Sequence, residues 1–352
     1  MNSLLRGWFA ILLLVPLLAA TAGPAHGQGT YRLSGSEVAV FNLAGVVEIV
    51  PGSGGDVVVE VMGGGRDAGR LDIQTLRVDG REALVIRYPA DEVVYPAMGR
   101  GSSSQTEVAD NGTFFGDWGS GGRNVTVSGS GGGMEAWADL RIAVPGGKDF
   151  ALFLLVGETM ARGVTGSFLL DQGSGAVHVE EAGGDFVVDT GSGEVTVHGF
   201  DGDLSVDTGS GSVELSDVRG DEIMVDTGSG AVTGSQVAAS EFGVDTGSGG
   251  VDLSSISSSD VVVDTGSGEV NLELLTDVDR LEVDTGSGSV TVRIPASMGA
   301  EVEADTGSGG IEVDLPLEIR EAERDYLRGV LGDGRGSIRI DTGSGEIRIL
   351  TR

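Results

Sequence analysis

Pairs of apolar side chains, one residue apart, recur along the second half of the chain: Phe186 and Val188, Leu204 and Val206, Ile223 and Val225, Phe242 and Val244, Leu281 and Val283, Ile338 and Ile340. The residue between them is free to vary, from Val187 through Ser205, Met224 and Gly243 to Glu282 and Arg339. A few residues on, the alternation resumes with Val195 and Val197, Val213 and Leu215, Val251 and Leu253, Val270 and Leu272, Val290 and Val292, Ile347 and Ile349. Alternation over such short runs predicts half-buried strands. From one inward set to the next the count is odd, so the chain must bend or bulge between them to bring the apolar residues back to one face. Gly234 occupies an inward position and predicts a thinner or distorted rung there.

The connecting stretch is nearly invariant. Asp-Thr-Gly-Ser-Gly begins at Asp189, Asp207, Asp226, Asp245, Asp264, Asp284, Asp305 and Asp341, and a variant with glutamine begins at Asp171. Successive steps are 18, 18, 19, 19, 19, 20, 21 and 36 residues, the last read as two steps with one motif missing. A fixed period near twenty marks a stacked array. One repeat cannot bury its own apolar row, whereas repeats stacked at roughly 4.8 Å can. The predicted fold is therefore all-β: a single-stranded β-solenoid whose rungs run strand, glycine bend, strand, polar corner. Its nine motif-bearing rungs would extend on the order of 40 Å.

The flanks break the period. Residues 1–27 read as an export signal, with an apolar core from Trp8 to Leu18 and small residues at Ala25-His26-Gly27; a retained membrane anchor is the alternative reading. Residues 28–88 are strand-like but irregular and read as an N-terminal β cap, with Asn42-Leu43-Ala44-Gly45 as a degenerate corner. Residues 89–133 form a Gly/Ser-rich insertion, either a flexible excursion or a binding loop that presents Phe114, Phe115 and Trp118. The repeat domain spans 134–352. Within it, Ile319, Ala322, Tyr326, Leu327, Val330 and Leu331 fall at helical spacing and predict a short helix within 317–331, before the last rung.

Composition narrows the chemistry. The chain has no cysteine, which excludes disulfides, thiol catalysis and thiolate metal sites. Its net charge is −32, with Lys148 the only lysine, so it repels nucleic acid and attracts cations or basic peptides. Asp-Thr-Gly also occurs in aspartic proteases, but those need one facing pair of carboxylates, and a motif repeated in every rung singles out none. Asp and Ser serve tight turns in any case. Stacked aspartates repel by roughly 0.9 kcal/mol per neighbour pair in water. Hydroxyls of the Thr190 type together with bend amides can offset this, as can calcium bound along Asp189, Asp207, Asp226, Asp245, Asp264 and Asp284. His178 and His198 lie at different places in their repeats and make no catalytic or zinc pattern.

The repeated Val-Asp-Thr-Gly-Ser-Gly-x-Val, the Ile142-Ala143-Val144-Pro145-Gly146 strand and the closing Ile338 to Ile347 run resemble the bacterial putative-adhesin β-strand-repeat family, a group of unknown function. The resemblance runs from about Val38 onward. It implies a β-solenoid in an envelope or surface protein and supplies no catalytic residue and no cofactor. The expected function is accordingly a non-enzymatic, exported, adhesin-like solenoid that binds a surface, polymer or protein partner and is found in the periplasm, the cell envelope or the medium. The alternative is an envelope-stress or sensing component that takes cationic peptides or calcium on its acidic face.

Overall fold

The computed structural model describes residues 28–116 and 121–352. Two single-turn 3-10 helices, Ala68–Arg70 and Pro96–Met98, are the only helical segments among them; the rest is strand and turn. In the middle of the stack a strand such as Val195–Thr208 begins as the second arm of one rung, turns a corner, and ends as the first arm of the next. The corner uses the left-handed region, with Gly199 at φ 67° and Glu181, Asp217, Gln236 and Ser255 between 51° and 58°. Neighbouring rungs pair in parallel and in register, aspartate on aspartate from Asp171 to Asp284. The inward columns are closed to water: Val188, Val206, Val225, Val244, Val263 and Val283 are all between 0% and 3% exposed. Each such side chain contributes about 1.5–3 kcal/mol by its burial.

Position by position, the motif serves the bend. The aspartate faces out and the threonine after it faces in, so Thr190, Thr208, Thr227, Thr246, Thr265, Thr285, Thr342 and Thr306 form a buried polar column inside the solenoid. Each hydroxyl from Thr227 onward bridges two rungs. Thr227 Oγ1 accepts from Gly230 N–H at 3.0 Å and donates to Gly211 O of the rung below at 3.0 Å. Gln172 replaces threonine in the variant motif, and its amide donates to Gly175 O at 2.6 Å. That carbonyl is the one Thr190 would need, and Thr190 Oγ1 is left buried without a partner. The predicted distortion at Gly234 does not occur. Leu215, Gly234 and Leu253 stay in register, and Leu253 fills the gap, its Cδ2 only 2.7 Å from where a Cβ would sit.

At the N-terminal end, Glu37–Pro51 is itself a rung, paired in parallel with Asp149–Arg162. Its Asn42-Leu43-Ala44-Gly45 stretch lies at the bend, and Asn42 falls in the threonine column. Both arms of this rung are covered. Arg81–Arg87 pairs with the first and in turn with Asp72–Val78. Trp137–Val144 pairs with the second, followed by Val57–Gly64 and Gln28–Leu33. The insertion, together with Met134–Glu135 just after it, makes a small separate sheet of Glu92–Val94, Ser103–Val108, Arg123–Ser128 and Met134–Glu135.

The far end corrects two expectations. No helix forms within 317–331. Glu318–Ala322 and Tyr326–Leu331 make an antiparallel hairpin, and the second strand pairs antiparallel with Ala300–Thr306. Leu327, Gly329 and Leu331 alternate inward along that edge, and Gly329 weakens a helix by about 1 kcal/mol. Covering an open edge prevails over the helical spacing. Nor does the 36-residue step hide a missing rung in sequence order. Gly336–Thr342 lies between Arg280–Thr285 and Ala300–Thr306, and Ile347–Thr351 lies between Val290–Ile294 and Ile311–Asp314. The rung of Asp341 is thus wedged between those of Asp284 and Asp305.

Candidate functional site

Strand alternation carries three columns to the outside of the first arms. One holds Asp185, Asp203, Glu222, Glu241 and Asp260; the next Val187, Ser205, Met224, Gly243 and Val262; the third the motif aspartates. The outer face is therefore an apolar stripe between two rows of carboxylates. Val187 is 46% exposed within it. At Gly243 the absent side chain leaves a notch, and Met224 folds toward it, its sulfur 2.4 Å from where a Cβ would lie. A groove of about 540 Å³ opens here, with Met224, Gly243 and Val262 on its floor and Asp207, Asp226, Asp245, Asp264 and Glu241 along its sides.

Partial burial, and after it crowding along the motif column, raises the pKa of four of its carboxyls. Partial burial followed by the charge of Asp189 raises Asp207, and partial burial followed by both neighbours raises Asp226. Asp264 is raised by burial, then Asp245, Asp284 and Glu282, and Asp341 by burial, then Asp284 and Asp305, against Arg339. The threonine hydroxyls expected to relieve this repulsion point into the core, and among the described residues no hydrogen bond joins them to the aspartates. Asp207, Asp226, Asp264 and Asp341 instead hold their protons to higher pH than a free carboxyl.

Of the predicted aromatic residues, Phe114 is placed inside and Phe115 is half-buried against it. Phe114 is 2% exposed and meets Phe41 edge-on at 5.9 Å, Phe41 stacks on Phe153 at 4.5 Å, and Phe115 meets Phe114 edge-on at 4.9 Å. This corrects the expectation that Phe114 is presented to a ligand: the insertion uses it to seal the first rungs. Trp118 and the export signal lie outside the described residues. Phe41 and Phe153 stand in the column that continues as Asp171 and Asp189. Stepping back one period from Asp171 lands on Phe153, a signal available in the sequence.

Asp171, next to this aromatic pile, is pushed up to about 7 by burial and then by Asp189. Folded Asp171 therefore keeps its proton at pH values where the unfolded chain, near 3.8, has released it. Across that window the folded state binds more protons, so stability is highest below it, falls as pH rises, and levels off above about 7. Asp171→Asn removes this titration. Its melting midpoint should gain on the wild type as pH rises through the window, by nothing below it and by a constant amount above it. Parallel midpoint curves at all pH values would show that Asp171 titrates normally.

The six calcium candidates lie in one row on successive rungs, and among the described residues no three acidic or histidine side chains converge as a cage. His178 lies 3.9 Å from Glu158, and His198 Nδ1 is 2.8 Å from Ser216 Oγ, each alone. Neighbouring motif aspartates run in parallel along a ladder and do not face each other across a cleft, as acid–base catalysis by a shared proton would require. Among the described residues no helix is long and apolar enough to cross a membrane.

A family model described as Toastrack DUF4097 matches residues 140–350. No curated protein matches the chain. A solved structure of a putative cell adhesion protein from Clostridium sporogenes aligns over 92% of this chain and 99% of its own, at 15% identity and a TM-score of 0.20. Values this low carry no argument.

Proposed function

The chain belongs to the Toastrack DUF4097 family, and from that premise we propose that it is a non-enzymatic, exported, adhesin-like scaffold that holds a surface, polymer or protein partner along the outward face of its first arms. The observation that carries this reading is the groove at Met224, Gly243 and Val262, lying between two carboxylate rows that continue rung after rung. Such a face matches a partner that offers basic groups on an apolar body, and it would draw that partner in electrostatically. The motif aspartate recurring on successive rungs suits a long or repetitive partner, because each added contact is intramolecular once the first has formed.

The test is binding to immobilised poly-lysine, with poly-glutamate as control, across a salt series. Binding to poly-lysine that is lost at high salt is expected. Each exposed charge contact is worth roughly 0.2–1 kcal/mol, so the triple variant Asp207→Asn, Asp226→Asn, Asp245→Asn should bind several-fold to about a hundredfold more weakly. Binding indifferent to both salt and the triple variant would remove the carboxylate rows from the function. Calcium is the competing occupant of the same rows. Thermal unfolding with calcium and then with excess chelator should give one midpoint, and a marked rise with calcium would reassign the rows to metal.

A further inference from the structure

The solenoid has four arm ends, two at each terminus of the stack, and three of them are covered by added strands. At the N-terminal end Arg81–Arg87 covers the first arm and Trp137–Val144 the second, and at the far end Tyr326–Leu331 covers the first. The fourth, Ile311–Asp314, pairs with Ile347–Thr351 on one side, and among the described residues no strand pairs with its other side. Ile347 N–H donates to Gly310 O, so in parallel pairing Gly310, Glu312 and Asp314 turn their backbone groups to that neighbour, and Ile311 and Val313 turn theirs outward. The core is incomplete at the same place. Ile347 and Ile349 are 0% exposed, whereas Ile311 and Val313, in the same columns, are only half-buried.

We propose that this open edge is a docking site for an extended strand of a partner polypeptide in which apolar residues alternate with basic ones. The inner side of the same strand shows the complement. Ile347, Arg348 and Ile349 lie against Ile311, Glu312 and Val313, with Arg348 Nε 3.4 Å from Glu312 Oε2. A strand added on the outer side meets the same two apolar residues and the same exposed carboxylates, Glu312 and Asp314. It gains main-chain bonds to the free amide groups of Ile311 and Val313. A second copy is the poorer occupant, since antiparallel pairing of this strand with itself brings acidic side chains opposite acidic side chains. The site is separate from the acidic face and does not depend on it.

The probe is a labelled synthetic peptide copying residues 346–352, with a scrambled peptide of the same composition as control. It is added to the full chain, and amide hydrogen exchange is followed residue by residue. Saturable binding is expected, with exchange at Ile311 and Val313 slowed about tenfold when free peptide is ten times its Kd. Val313→Pro, which removes an outward N–H that edge strands can spare, should abolish binding and keep the unfolding midpoint. The proposal is overturned by equal binding of the scrambled peptide. It is overturned equally by protection that falls on the carboxylate rows, or by concentration-dependent protection of Ile311 and Val313 without peptide, which would put a second copy on the edge. The triple aspartate variant should bind this probe as the wild type does, so the two readings fail separately.

Discussion

Alanine at Gly249 is expected to break the stack at its rung and to cost more than about 4 kcal/mol, among the largest effects a single substitution produces. The second glycine of the motif is buried against the rung below, and a Cβ on Gly249 would lie 1.7 Å from Gly230 O and 2.5 Å from its carbonyl carbon. Both are backbone atoms held in the ladder, so no rotamer change relieves the contact. The same approach recurs at Gly230, Gly268, Gly288 and Gly345, between 1.7 and 1.8 Å. Gly250, one residue further on, is the control. A Cβ there meets only Glu269 O at 3.6 Å, and Gly250→Ala should be neutral or stabilise by about 0.4–1 kcal/mol through the unfolded chain. Urea midpoints of the two variants measure the difference. Equal midpoints would mean that the rungs do not approach so closely.

Thr246→Val is the second large effect, and it changes hardly any volume. The hydroxyl accepts from Gly249 N–H at 3.0 Å and donates to Gly230 O at 3.1 Å, inside the core at 0% exposure. Valine strands both groups, at about 1–3 kcal/mol each, so a loss of about 2–6 kcal/mol is expected by chemical denaturation. Thr246→Ser keeps the hydroxyl and should lose only about 0.8 kcal/mol for the missing methyl. Were valine as stable as threonine, the polar column would be incidental to the bend. The Gly249 and Thr246 effects share one rung and should not add.

The threonine column was open to reading in the sequence but hidden by residue type. Threonine looks polar, yet in each motif it has the parity of the apolar residue two places before it, which puts both on one face. The rung period and the outward aspartates followed directly from alternation, because a strand's two faces are decided locally. The groove was not legible, since Met224, Gly243 and Val262 become neighbours only through pairing between rungs. The Ile319 to Leu331 stretch misled for a related reason. Its helical spacing is a local property, and the open edge of Ala300–Thr306 that it covers is not. That Phe114 is buried is not legible either, because the Phe41 and Phe153 pile that receives it lies far away in sequence.

The wedged rung bears on how the molecule is assembled. A plain array can form in the order in which it is made, each repeat settling on its predecessor. Here the strands that include Asp284 and Val290 must wait with one edge vacant while residues 295–335 are made, and only then receive Gly336–Thr342 and Ile347–Thr351 as their neighbours. Ala300–Thr306 and Ile311–Asp314, made earlier, have no place on the stack until those later strands arrive. Residues 280–351 therefore close as one kinetic unit by distant contacts, which slows folding. Once closed, that unit resists unpeeling strand by strand. For a molecule loaded by a tethered partner, the end of the stack would then give way in one abrupt step, where a sequentially built array would unravel rung by rung.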